Sequence, residues 1–166
     1  MKSKHLIIIV AFLVVVILVL ALLNRPDADT DKELLSIVIN GEVIAAFTME
    51  NLQAMPYVEV EKEIVSASND NESGLWRGVP IVDLLLAADV DTSIYSMVAS
   101  RATDNYVSAF GMDEILEGTN IFIAYMQDGE PLKTQENGGS GPLRIVIQGD
   151  PFGNRSTRWL YQLELQ

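Results

Sequence analysis

Eighteen consecutive apolar residues, Leu6 to Leu23 (LIIIVAFLVVVILVLALL), limit what this chain can become more than any other feature. At ~1.5 Å rise per residue, a helix of that length spans roughly 27 Å, close to the thickness of a bilayer's hydrocarbon core. Lys2, Lys4 and His5 precede the run with no acidic residue, and Asn24, Arg25, Pro26 and Asp27 follow it. The positive flank is therefore N-terminal, which predicts a single-pass membrane protein with residues 1–5 cytoplasmic and the C-terminal domain extracytoplasmic. A cleaved secretory signal is the competing reading. Such signals have a shorter apolar stretch and a small-residue cleavage site, and Ala21-Leu22-Leu23-Asn24 offers no such site, so the uncleaved anchor is preferred. A lipoprotein is excluded, because the chain has no cysteine to lipidate.

The rest of the chain is acidic. Beyond residue 23 stand nine Lys and Arg against 23 Asp and Glu, a net charge of −14. Nucleic acid is excluded as a partner on that ground, since neutralising phosphates takes clustered cations. Residues 24–33 form a polar linker, and residues 34–166 are long enough for one domain with its own core but too few for two. The only histidine is His5, within the expected cytoplasmic tail. The displayed domain thus has no Cys or His nucleophile, no His general base, and no thiolate or imidazole metal ligand. Neither zinc nor haem is expected.

Along the domain, Leu35–Ile39 and Val43–Phe47 are apolar runs about Asn40-Gly41, which suits a tight hairpin turn. Thr48 caps a short helix through Met55, which Pro56 ends. Tyr57 to Glu61 alternates apolar and charged residues, the period of a half-buried strand. Ser66 to Ser73 is a polar loop leading into a turn, Gly74 to Pro80, after which Ile81 to Ala88 reads as a buried helix. Tyr95–Ala99, Tyr106–Phe110, Ile121–Met126, Leu143–Gln148 and Arg158–Leu165 are further strand candidates, with a short helix at Met112–Leu116. Strands outnumber helices in mixed order, which indicates an α+β domain built on a mixed sheet.

In chain order, Gly74-Leu75-Trp76-Arg77-Gly78-Val79-Pro80-Ile81 with Asp83-Leu84-Leu85 resembles the W-x-G-V-P-L-x-D-L-L signature of the oxidoreductase molybdopterin-binding domain, the fold of the sulfite oxidases. Four further matches stand in the family's order. Thr103-Asp104-Asn105-Tyr106 is similar to its DGY turn, Gly129-Glu130-Pro131-Leu132 to its G-x-P-L, Gly141-Pro142-Leu143-Arg144 to its GPLR, and Arg158-Trp159-Leu160 to its K-W-L.

The resemblance implies molybdopterin as the cofactor, with Ser66, Trp76, Gly141, Arg144 and Arg158 as candidate cofactor-binding positions. It also implies a molybdenum-ligating cysteine in a C-A-G-N stretch, which here reads Ser66-Ala67-Ser68-Asn69. A thiolate is a soft, readily deprotonated ligand, whereas a serine hydroxyl is neutral and hard at neutral pH. The arginines expected just after that stretch are replaced by Asp70 and Glu72, whose carboxylates repel an anionic substrate or a cofactor phosphate.

Several residues admit a plain reading beside the functional one. Arg144, Arg155 and Arg158, beside two glycine-rich segments, suit an anion pocket for a pterin phosphate or another oxyanion, or else pair with the surplus carboxylates. Trp76 and Trp159 suit a core as readily as a cofactor cleft. Asp104 and Tyr106 fit a turn aspartate beside a packed tyrosine. The Asn69 to Glu72 loop lacks the spacing of a calcium-binding EF-hand, and Gly138 to Gly141 lacks the Lys and Ser/Thr of a phosphate-binding loop. The preferred expectation is an anchored binding or accessory module with no catalytic residue of its own. The alternatives are an active molybdopterin-dependent oxidoreductase passing electrons to a membrane protein partner, and a surface domain whose acidic face binds cationic groups.

Overall fold

The computed structural model describes residues 32–65, 71–150 and 152–166. The expected anchor at Leu6 to Leu23 and the candidate Ser66 lie outside the described residues. Among the described residues no helix is long and apolar enough to cross a membrane.

The chain opens with a hairpin, β1 (Glu33–Ile39) and β2 (Glu42–Thr48). Asn40 and Gly41 both take positive φ, 52° and 82°, the handedness that a two-residue turn between twisted strands requires. Thr48 then caps α1 (Met49–Ala54), its hydroxyl accepting from the Asn51 N–H while the Asn51 side chain accepts from the Thr48 N–H. Reciprocal capping of this kind satisfies two otherwise unpaired donors and is worth about 1 kcal/mol. A six-residue helix has no stability by itself. It holds because Leu52 is fully buried.

β3 (Val58–Ile64) and β4 (Glu72–Pro80) come next, then α2 (Ile81–Ala87). The segment Gly74 to Pro80, expected as a turn, is a strand: it pairs through Gly74 to Gly78 with β3 and through Trp76 to Pro80 with β7 (Ile121–Gln127). Its glycine is the physical reason. A Cβ at Gly78 would lie 2.1 Å from the Ile123 carbonyl oxygen, so only glycine admits the neighbouring backbone there.

The remaining elements are β5 (Met97–Ala102), β6 (Val107–Gly111), α3 (Met112–Leu116), the two-residue β8 (Glu130–Pro131), β9 (Arg144–Ile147) and β10 (Leu160–Leu165). They assemble into two five-stranded sheets. One runs β2-β1-β10-β5-β6, with β1 and β10 parallel and the other pairs antiparallel. The other runs β3-β4-β7-β8, with β9 also on β7. The expected α+β mixed-sheet architecture is present.

The main core takes residues from both sheets and from α1, α2 and α3, among them Leu35, Ile37, Leu52, Leu84, Phe110, Ile115, Ile123 and Leu163. Side chains alternate along β7, so Ile121, Ile123 and Tyr125 enter this core while Phe122 and Ala124 face the other way. There they meet a second apolar cluster of Ile64, Trp76, Leu132 and Val146. Both faces of the second sheet are thus covered near β7, and the second cluster supports the candidate site.

Candidate functional site

Arg144 opens β9 on the face shared with Val146 and Trp76, and that placement buries it to 1% exposure. Among the described residues it is the one buried charged side chain. A guanidinium taken out of water costs several kcal/mol unless its donors are met. Here they are. Nε donates to Ser156 Oγ at 3.1 Å, Nη1 donates to Glu72 Oε2, and the guanidinium lies 5.1 Å from the ring centroid of Trp76. Ser156 Oγ in turn donates to the Ile145 carbonyl, which fixes the hydroxyl that Arg144 needs. Burial pulls the Arg144 guanidinium below its ordinary range, opposed by the charge of Glu72 and reinforced by that of Arg158.

Glu72 is the first residue of β4, and a period of two places Glu72, Gly74 and Trp76 on one face of the strand. Its second carboxylate oxygen, Oε1, accepts from Nη2 of Arg158. One carboxylate therefore sits between two guanidinium groups, one oxygen to each, and the cluster of three carries a net charge of +1. Arg158 is 37% exposed where Arg144 is not.

Two clefts meet at this cluster. The larger, about 540 Å³, is lined by Glu72, Asp128, Lys133, Gly139, Arg158 and Trp159 among others. The smaller, about 350 Å³, has Ile64, Tyr106, Arg144, Asn154, Arg158 and Trp159 in its wall. Trp159 stands between them in a left-handed backbone conformation, φ 52°, which a bulky residue adopts only under constraint from its surroundings. The constraint is visible: its N–H donates to the Ser140 carbonyl, its carbonyl accepts from Thr103, and its indole Nε1 donates to the Gly139 carbonyl at 2.7 Å.

The other candidates fall around this centre. Trp76 is fully buried, with Nε1 donating to the Lys62 carbonyl at 3.1 Å, and it forms the floor under Arg144 rather than a cleft wall. Gly141 is packed so closely that a Cβ would lie 2.4 Å from Leu132 Cβ, and its N–H is given to the Lys133 carbonyl. Arg155, close in sequence to Arg144 and Arg158, turns elsewhere: it pairs with Glu114 at 2.8 Å and Asp150 at 3.3 Å and lies over Phe110. Its hydrogen bond to Glu114 raises it above the ordinary arginine value. Asp104 accepts from the Tyr106 N–H as a turn aspartate, while the Tyr106 hydroxyl donates to the Asn154 carbonyl.

Sequence reasoning identifies Glu72 as a charge hostile to anions but not as the partner of both arginines, from which it is 72 and 86 positions distant. A buried arginine must find an anion, and that requirement is the signal that points to it. A cluster of three hydroxyls has no counterpart among the sequence-based expectations. Ser100, Ser108 and Thr157 lie 2.7 to 2.9 Å from one another in the interior. Among the described residues no group of three or more acidic, His or Cys side chains is placed to hold a metal.

A model of the oxidoreductase molybdopterin binding domain matches residues 23–166. The chain belongs to this family. A comparison with curated proteins gives no match. Among solved structures, the chain is similar to the sulfane dehydrogenase SoxCD from Paracoccus pantotrophus, with a TM-score of 0.67 and 19% identity. The similarity covers 83% of this chain and 39% of that one, so the domain spans less than half of the SoxCD chain it matches. At that identity the likeness establishes the fold alone.

The family implies a molybdopterin, and the residues present fit one poorly. The chain has no thiolate to offer a metal. Arg144 and Arg158, which the resemblance assigned to an anionic group, are both already held by Glu72.

Proposed function

We propose that this protein is a membrane-tethered, extracytoplasmic accessory module that keeps the molybdopterin-binding fold without molybdenum redox chemistry of its own. The observation that carries this reading is the charge arrangement at the site: Glu72 lies on both arginines that an anionic cofactor would need. The lack of any cysteine in the chain points the same way, since a molybdenum centre here would have to do without a thiolate from the protein.

In this reading the tether is Leu6 to Leu23, and the acidic chain beyond it, at −14, works at the outer face of the membrane beside a membrane protein partner. The side chains open to it for binding are those of the two clefts, with Arg158, Lys133 and Tyr106 as polar contacts and Trp159 as an aromatic wall between them. The test is elemental analysis of the full chain purified from its native host. A molybdenum content at background supports the proposal, and stoichiometric molybdenum overturns it.

A further inference from the structure

The three charged groups of the site are arranged as a cation pair with an anion between them, and the anion belongs to the chain itself. Each oxygen of the Glu72 carboxylate accepts from a different guanidinium. Arg144 cannot turn to solvent for a substitute, being 1% exposed, seated on Trp76 and tied through Nε to Ser156. A buried guanidinium of this kind needs a counter-charge within reach whenever the domain is folded. The two guanidinium groups, one buried and one opening onto both clefts, present the fork geometry that suits a carboxylate, a phosphate or another oxyanion equally.

We propose that Glu72 is the built-in occupant of the anion site formed by Arg144 and Arg158, so that the domain folds around its own carboxylate and keeps external oxyanions out of that site. This deepens the redox-silent reading, on which it rests, by stating what stands where an anionic group would bind. Removing the carboxylate converts the wild-type domain into an oxyanion-binding one, the displaced partner being replaced by a phosphate-class ligand.

The probe is inorganic phosphate, titrated calorimetrically into the purified full-length chain in detergent, with chloride holding the ionic strength constant. Glu72→Ala is expected to bind phosphate at least about tenfold more tightly than the wild type. Glu72→Ala/Arg144→Met is expected to lose that gain, because half of the site is gone. Equal phosphate affinity in wild type and Glu72→Ala overturns the proposal, as does a double variant that binds as tightly as Glu72→Ala. So does a folded Glu72→Ala that binds no phosphate.

Glu72→Ala can also prove unfolded without an anion. Recovery of its near-ultraviolet circular dichroism in phosphate, but not in chloride of equal ionic strength, then supports the proposal. Failure to recover, together with a Glu72→Gln variant that ignores phosphate, overturns it. The two readings fail separately: molybdenum in the native protein sinks the redox-silent reading, whereas these titrations sink only the assignment of Glu72.

Discussion

Arg144 contributes to stability only in combination with the groups that meet it. Truncating Glu72 leaves a buried guanidinium with one hydroxyl partner and an aromatic floor, so Glu72→Ala should cost about 3–5 kcal/mol. Arg158, more than a third exposed, shares the same carboxylate in water, and Arg158→Ala should cost about 1 kcal/mol or less. Glu72→Ala/Arg144→Met should recover most of the first loss, since an apolar stem stays on Trp76 and no buried charge is left unpaired. Urea denaturation of the wild type and these three variants checks the series, and a double variant no better than Glu72→Ala would contradict it.

Tyr125 allows a second test at this scale. Its phenol is 1% exposed in the main core, and burial raises its pKa from the ordinary 10.0, opposed by the charge of Arg77. A raised folded value means that the neutral form is favoured in the fold. That contribution is fully present below about pH 10 and is lost as pH rises through the raised value. Compared between about pH 8 and about pH 11, wild-type stability should fall further than that of Tyr125→Phe. Parallel declines would contradict the assignment.

Much of the site is legible residue by residue and some is not. That Arg144 and Arg158 are candidates follows from their place in the family's motifs. That Glu72 joins them does not, because a pair 72 or 86 positions apart leaves no local pattern.

Among the elements, those set by local chemistry are legible in the sequence. Asn40-Gly41 makes the hairpin, Thr48 caps α1, and Met112–Leu116 is the helix expected there. The sequence of β4 reads as a turn because Gly74, Gly78 and Pro80 argue locally against a strand. The neighbouring strands reverse that argument: β7 comes so close at Gly78 that the missing side chain is a requirement. Gly78→Ala should therefore cost about 3 kcal/mol through overpacking against the Ile123 backbone. Gly41→Ala meets nothing within 4 Å and suffers only the strain of its positive φ, so it should lose less. Thermal unfolding of the two variants distinguishes them, and equal losses would contradict the close approach as the reason for Gly78.

At the scale of the whole molecule, the parallel pairing of β1 with β10 brings the first and last strands of the domain together, with Ser36 beside Gln162 and Ile39 beside Leu165. Parallel pairing over such a separation has no signature in hydrophobic period, so the topology is not readable from the strands alone; the motifs supply the fold instead. The proposed extracytoplasmic placement of the domain is open to a direct test, since a chain without cysteine has no background thiol. Leu86 on α2 is 77% exposed, and Leu86→Cys should react with a membrane-impermeant maleimide added to intact cells. Labelling only after lysis would contradict an extracytoplasmic domain.

The central claim is that this domain keeps the fold of the molybdopterin-binding family without molybdenum redox chemistry of its own. Molybdenum analysis of the full chain from its native host measures that most directly. The account predicts background metal, and one molybdenum per chain would contradict it.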